Sequence, residues 1–178
     1  RMGLVSRGAP VREPLPAELT QWGTSQTGAA FNLDATNTRQ ALAFRAPQTG
    51  VIDRIGFAAG GTVAAGTVQG DVQAMVAGVP SGTSYGGGSP GTLSVGASGT
   101  YEITPAAGYA VTRRDPLAGV LEWSGAAGSL RLVAQVGGDT TNAPYLLRFT
   151  GGSWVVSTST VGLIAMWVRY AEGGGTYY

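Results

Sequence analysis

Short apolar runs alternate with clusters of glycine, proline, serine and asparagine at intervals of roughly 8 to 12 residues along this chain. Within the runs, apolar and polar residues alternate with period two, which is typical of strands whose two faces meet different surroundings. Clear examples are Gln40–Ala46, Leu117–Trp123 and Ser129–Val136. No segment keeps a helical period. The pattern predicts about ten or eleven strands in an all-β, antiparallel β-sandwich resembling a jelly roll, with a closed barrel as the alternative.

Five further predictions concern particular segments. In Val51–Ala58, alternation places Val51, Ile55 and Phe57 on one face and Ile52 on the other. The glycine-rich stretch 78–91 is predicted to be one long loop. Hairpins are predicted to join Thr92–Val95 to Thr100–Thr104, and Tyr145–Phe149 to Ser153–Val156. Both faces of Val161–Tyr170 are apolar, which predicts a last strand buried on both sides, with an oligomer neighbour as one source of that burial.

The domain boundaries follow from proline and glycine. Residues 1–22 contain Pro10, Pro14 and Pro16, which favour extended backbone, so we expect an arm there. The arm is either a disordered terminus or a segment that docks on a neighbouring subunit. Residues 23–172 form the predicted sandwich, and residues 173–178 form a flexible tail of three glycines, a threonine and two tyrosines.

Composition removes several classes of chemistry. The chain has no His and no Cys, and all eleven of its basic residues are arginines, so it has no Lys either. A conventional catalytic triad, a thiol nucleophile and a Schiff-base amine are therefore excluded, and we expect neither an enzyme nor a bound cofactor. The net charge of +1 is spread along the chain without a basic stripe, which argues against nucleic-acid binding. No apolar run has the length of a membrane span.

The acidic residues offer two alternatives to a purely structural role. Asp53, Asp71, Glu102 and Glu122 lie in predicted strands, where two of them could form the carboxylate pair of a glycosidase. Each alternates with apolar residues, however, and we expect each to face solvent. The turns Asp34–Asn37 and Asp139–Asn142 have oxygen ligands suited to Ca²⁺, but ordinary Asx-turns explain both, and no metal site is predicted.

Three aromatic residues are the candidate contact sites. Trp22 lies at the end of the arm, Tyr85 in the glycine-rich stretch and Trp154 beside a Gly-Gly turn. Each is a candidate for stacking on the apolar face of a sugar ring, but packing in the core or at a subunit interface is the interpretation that the sequence favours. The sequence therefore leaves two functions open for these residues, ligand contact and assembly.

The order of these features from Phe44 to Tyr170 resembles a β-sandwich module of tailed-bacteriophage virion proteins, namely tail fibres, head fibres and accessory subunits. The segments that carry the resemblance are Ala43–Pro47, Gly50–Phe57, Asp71–Val76, Gly78–Thr83, Gly99–Thr104, Pro116–Trp123 and Tyr145–Trp154. The resemblance implies a non-enzymatic virion protein, located in the extracellular particle. Its partners would be further copies of itself, other virion proteins and, for host attachment, a cell-surface glycan. The alternative is a carbohydrate-binding β-sandwich that uses exposed aromatics.

Overall fold

The computed structural model describes residues 31–61, 63–124, 128–132, 134–135, 145–156, 163–171 and 176–177. The predicted arm, with Trp22, lies outside the described residues, and so does the turn Asp139–Asn142. Thr176 and Tyr177, within the predicted flexible tail, form a short strand.

The described residues form sixteen strands and no helix. Their bounds are β1 Phe31–Leu33, β2 Arg39–Arg45, β3 Gly50–Ala59, β4 Gly66–Val76, β5 Val79–Ser84, β6 Gly91–Val95, β7 Gly99–Ile103, β8 Tyr109–Val111, β9 Pro116–Ser124, β10 Leu130–Leu132, β11 Ala134–Gln135, β12 Tyr145–Thr150, β13 Ser153–Val156, β14 Leu163–Ile164, β15 Met166–Tyr170 and β16 Thr176–Tyr177. The count exceeds the prediction partly because two predicted strands are each divided, into β10 and β11 and into β14 and β15.

Two sheets of seven strands make up most of the fold. Sheet I has the order β1-β10-β3-β15-β16, with β7 and β8 also paired to β3. Sheet II has the order β13-β12-β2-β9-β4-β5, with β6 also paired to β4. Strands β11 and β14 form a separate pair. All of the named pairings are antiparallel, so the predicted all-β, antiparallel, sandwich-like fold is confirmed.

The main core is built from alternate residues of both sheets. Sheet I contributes Ile55, Phe57, Ile103 and Tyr109, and sheet II contributes Leu42, Val72, Leu117 and Leu121. In β9 the predicted alternation is confirmed: Leu117, Leu121 and Trp123 lie in this core, whereas Ala118 and Val120 face the other way. Burial of the large apolar side chains contributes roughly 1.5–3 kcal/mol each to folding.

A second apolar cluster lies on the outer face of sheet II. Its buried members are Ala41, Ala43, Ala118, Val120 and Leu147. Met75, Val79 and Trp154 are partly buried and pack against it. Three of its five buried members are alanines.

The predicted faces of Val51 and Ile52 are wrong because β3 contains a β-bulge, whereas Ile55 and Phe57 share a face as predicted. Arg54 pairs with Arg169 but Ile52 pairs with Tyr170, which leaves Asp53 as an extra residue. One extra residue reverses the alternation on either side of it. Ile52 therefore joins Ile55 in the core, while Val51 is exposed.

The glycine-rich stretch 78–91 is not the single loop predicted. It contains β5, which pairs with β4 through a two-residue turn formed by Ala77 and Gly78. Both turn residues have positive φ angles, 50° and 83°. Such angles match the primed turns whose twist suits a tight hairpin.

The predicted hairpin between Thr92–Val95 and Thr100–Thr104 is also wrong. β6 pairs with β4 in sheet II, whereas β7 pairs with β3 in sheet I. Residues 96–98 therefore cross from one sheet to the other. The second predicted hairpin, formed by β12 and β13, is confirmed, with Thr150 opposite Ser153 at its closed end.

The last long strand is buried on both faces, as predicted, over Met166–Val168. Met166 and Val168 lie in the main core, and Trp167 lies on the opposite face. There Trp167 covers Gly56, where an added Cβ would fall 1.8 Å from the indole. Its indole N–H donates to Glu102 Oε1 at 3.3 Å. The chain itself thus contributes contacts on both faces.

Candidate functional site

A row of large and polar side chains crosses the outer face of sheet II. Successive residues in the row are direct partners on neighbouring strands: Trp154 on β13, Phe149 on β12, Arg39 on β2, Glu122 on β9 and Gln69 on β4. Directly opposed residues of antiparallel strands lie on the same face. With about 4.8 Å between strands, the row extends for roughly 19 Å.

Neighbouring side chains make specific contacts along most of the row. The Trp154 ring meets the edge of Phe149 with centroids 5.3 Å apart and planes at 70°. The Arg39 guanidinium lies 5.0 Å from the Phe149 centroid, within the range of a cation–π contact. Arg39 Nη2 donates a hydrogen bond to Glu122 Oε1 at 3.1 Å, and Arg39 Nε lies 3.0 Å from Glu122 Oε2 as an ion pair without hydrogen-bond geometry. Partial exposure limits the contribution of this ion pair to stability to about 1 kcal/mol or less.

A cavity of about 210 Å³ opens beside the polar end of this row. Its lining residues are mostly polar: Arg39, Gln69, Asp71, Gln73, Gly82, Ser84, Pro90, Val120 and Glu122. They come from β2, β4, β5 and β9 and from the segment before β6. The cavity is thus assembled from residues more than 80 positions apart in the chain.

Asp71 forms the buried part of the cavity wall. It is 8% exposed, so the expectation that it faces solvent is wrong. Its Oδ1 accepts hydrogen bonds from the hydroxyls of Ser84 at 2.9 Å and Tyr109 at 3.0 Å. Its Oδ2 accepts one from Gln73 Nε2 at 2.8 Å. A buried carboxylate needs such donors, because its transfer from water is otherwise costly.

The position of Tyr109 explains how a core residue reaches this surface. Its ring is fully buried in the main core, and Gly88 packs flat against it. Along the edge of β4, pairing with β6 ends at Gly70 and pairing with β5 begins at Gln73. The hydroxyl reaches Asp71 at this gap. Burial, and next the Asp71 carboxylate, raise the pKa of Tyr109 well above its ordinary value.

Gln73 and Gln69 differ in how far they are engaged. Gln73 is buried, and its Oε1 accepts a hydrogen bond from the Gly82 N–H at 2.9 Å, so both ends of its amide are used. Gln69 is half-buried and lines the same cavity. Among the residues that the structure describes, its side-chain amide has no hydrogen-bond partner. With respect to the described residues, Gln69 therefore presents an unengaged donor and an unengaged acceptor to the cavity.

Of the four carboxylates proposed for a catalytic pair, the fold brings two to one face. Asp71 and Glu122 both line the cavity, whereas Glu102 lies on sheet I, where it binds Trp167 and Arg169. Asp53, the bulge residue, is 3.5 Å from the Arg54 guanidinium. In the cavity, Arg39 holds Glu122 and three donors hold Asp71. Both carboxylates are therefore fixed acceptors, an arrangement suited to binding hydroxyl groups.

The Asp34–Asn37 segment is an ordinary Asx-turn. Asp34 Oδ1 accepts hydrogen bonds from the backbone N–H groups of Thr36 at 2.9 Å and Asn37 at 2.7 Å. The side chain thus caps its own backbone, which was the alternative to Ca²⁺ binding. Within the described ranges, no group of three or more carboxylates could hold a metal ion.

Two of the three predicted aromatic sites are described. Tyr85 is half-buried against the main core, and its hydroxyl donates to Asp115 Oδ2 at 2.8 Å. This hydrogen bond is the main cause that raises its pKa. Trp154 is half-buried at one end of the row described above. The structure does not bring Tyr85 and Trp154 together, because Tyr85 packs against the main core and Trp154 packs against the second apolar cluster.

The sequence pattern did not indicate that Arg39, Gln69, Gln73 and Ser84 are parts of a site. For Gln69 and Gln73 the one signal is the recurrence of polar residues at alternate positions of β4, which solvent exposure explains equally well. Only the pairing of distant strands shows that these positions meet.

The β13 edge of sheet II is the second surface feature. Strand β13 ends sheet II, and in the part of the chain that the structure describes it pairs only with β12. Val155 and Val156 are 41% and 49% exposed on it. Apolar side chains on an unpaired edge favour association with another strand.

Comparison with known proteins found no matching family model, no matching curated protein and no matching solved structure. Within the described residues, no helix is long and apolar enough to cross a membrane.

Proposed function

We propose that this protein is a non-enzymatic structural subunit that assembles with copies of itself through the β13 edge of sheet II. The observation that carries the proposal is the pair of exposed valines on that edge strand. The near-neutral chain, with 12% charged residues, supports it, because weak charge repulsion permits close packing of identical surfaces.

The edge has the physical properties that strand addition requires. A second β13 could align antiparallel to the first, so that both copies use the same surface around a two-fold axis. Backbone hydrogen bonds across the new pair would satisfy groups that otherwise bond to water. Complete burial of a valine contributes roughly 1.5–3 kcal/mol, and about half of that remains to be gained at Val155 and Val156.

Analytical ultracentrifugation over a range of protein concentrations tests this assembly. We expect the unmodified chain to self-associate, and Val155→Lys and Val156→Lys to shift it toward monomer, because a lysine on an edge strand opposes pairing. The matched control is Val76→Lys, which alters a valine that is 57% exposed at the β4–β5 turn. A chain that stays monomeric at every concentration would refute the proposal, as would equal association of all four proteins.

The particle to which the subunit belongs is proposed from the sequence resemblance alone. By that resemblance it is the virion of a tailed phage, with the subunit in a fibre, the tail or the head. Fractionation of purified particles, with an antibody against this chain, tests this part. Recovery of the chain only from the free protein fraction would exclude a virion subunit.

Carbohydrate binding by aromatic residues is the second candidate function. It is favoured at Trp154, which lies on the same face as the polar cavity, at the opposite end of the row. Loss of glycan binding in Trp154→Ala, with the fold unchanged by circular dichroism, would support it. Tyr85 is a weaker candidate, because its ring packs on the core and its hydroxyl is bound to Asp115.

A further inference from the structure

The cavity on sheet II has hydrogen-bonding groups that the fold leaves available. The Gln69 amide is unengaged within the described residues, and Asp71 Oδ2 accepts one hydrogen bond where a carboxylate oxygen can accept two. Ser84 and Glu122 add a hydroxyl and a carboxylate. A ligand that both donates and accepts at several adjacent atoms would use all of them.

The charges of the cavity disfavour an anionic ligand. Arg39 and Glu122 form an ion pair, which leaves Asp71 as the one uncompensated charge among the lining residues. A phosphate or carboxylate would be repelled by Asp71. Asp71 would attract an ammonium group, so a cationic ligand is the class from which the experiment must separate a neutral one.

The size of the cavity and its apolar contacts restrict the class of ligand further. Its volume of about 210 Å³ is below the roughly 300–1,000 Å³ of pockets for drug-sized ligands, so one small ring fits. Pro90 and Val120 add two apolar contacts among polar ones. A sugar ring matches this combination, because its hydroxyls lie around an apolar C–H surface.

We propose that the cavity binds one unit of a neutral saccharide through hydrogen bonds. Asp71 and Glu122 accept hydrogen bonds from sugar hydroxyls, Arg39 donates one to a hydroxyl or ring oxygen, and Gln69 both donates and accepts. Phe149 and Trp154 continue the row away from the cavity, so a longer chain of sugars lies along the same face. This inference deepens the carbohydrate-binding alternative and does not depend on assembly through β13.

An array of immobilised neutral glycans, followed by calorimetric titration with the methyl glycoside of the strongest hit, tests the proposal. Gln69→Ala removes a side chain that has no hydrogen bond to break in the described structure. We expect it to weaken binding about five- to tenfold, the effect of losing one hydrogen bond. Gln69→Glu keeps the size of the side chain but replaces the donor, and we expect a similar or larger loss.

The controls separate this site from the rest of the surface. Thr100→Ala changes an exposed hydroxyl on β7 of sheet I and should bind as the unmodified protein does. Circular dichroism and thermal unfolding must show that each variant is folded. Binding that is lost in Trp154→Ala but unchanged in both Gln69 variants would overturn the cavity proposal while leaving the aromatic alternative in place. Absence of binding to any neutral glycan, or preference for a cationic probe such as spermidine, would also overturn it.

Discussion

Tyr109→Phe is expected to destabilise the protein although it removes a single oxygen atom. The Tyr109 ring is fully buried, and its hydroxyl donates to Asp71 at 3.0 Å. Phenylalanine retains the ring and its packing against Gly88. The substitution therefore isolates the hydrogen bond between the core and the cavity wall.

The expected magnitude follows from the acceptor. A hydrogen bond to a charged group contributes about 1.5–3 kcal/mol, and Asp71 would retain its bonds to Ser84 and Gln73. For a chain of this size, that loss lowers the melting temperature by about 3–12 °C. The matched control is Tyr101→Phe, whose hydroxyl bonds to the Ala97 carbonyl at the surface, and there the change should stay within about 0.5 kcal/mol.

The same variant tests the pH dependence. Tyrosine in the unfolded chain loses its proton near pH 10.0, while the raised pKa of Tyr109 keeps the native residue protonated above that pH. The unfolded state then binds fewer protons than the native state, so the free energy of unfolding falls as pH rises above 10. Below pH 10 the contribution is fully present. Tyr85, whose pKa is also raised, adds a change of the same sign.

Urea denaturation followed by tryptophan fluorescence, at neutral pH and at two values above pH 10, measures both effects. We expect Tyr109→Phe to be less stable at neutral pH and to lose less stability as the pH is raised. Equal stability of Tyr109→Phe and the unmodified protein at neutral pH would refute the assigned hydrogen bond. An unchanged alkaline slope would refute the assignment of the raised pKa to this residue.

Two further substitutions test the packing and the turn geometry. Gly56→Ala should lower the free energy of unfolding by about 2 kcal/mol or more, because its Cβ would lie 1.8 Å from the Trp167 indole. Thermal unfolding measures this, and Gly99→Ala, whose Cβ meets nothing closer than 3.8 Å, is the control that should change little. Ala77→Asn should raise the free energy of unfolding by about 0.5–1 kcal/mol, because asparagine tolerates the φ of 50° that Ala77 adopts before Gly78. An Ala77→Asn protein that melts below the unmodified chain would contradict the assigned turn.

Much of the fold follows from local alternation, as β9 illustrates. Leu117, Leu121 and Trp123 face the core and Val120 and Glu122 the outside, as the period-two pattern predicts. The β12–β13 hairpin was predictable for a similar reason, because its turn residues lie between two apolar runs. These features depend only on residues close in sequence.

Local alternation gave a wrong prediction where an extra residue shifted the alternation of a strand, or where the partner of a strand or side chain was distant in sequence. The bulge at Asp53 reversed the faces of the residues before it, and no residue type there signals the insertion. The crossing at residues 96–98 resembles a hairpin turn locally, yet β6 and β7 pair with strands of different sheets. Asp71 alternates like an exposed residue but is buried, since Tyr109 supplies a donor from the core.

The candidate site could not be predicted from the sequence, because it too depends on partners that are distant in the chain. Its row joins residues 39, 69, 122, 149 and 154, and a shift of any strand by one residue would turn its member of the row to the opposite face. The alternation and composition of the chain are enough to predict that it forms strands, which residues alternate within most of them, and that His, Cys and Lys chemistry is absent. The neighbours and register of the strands follow from the folded structure alone, because they depend on burying whole sheet faces through contacts between residues far apart in the chain.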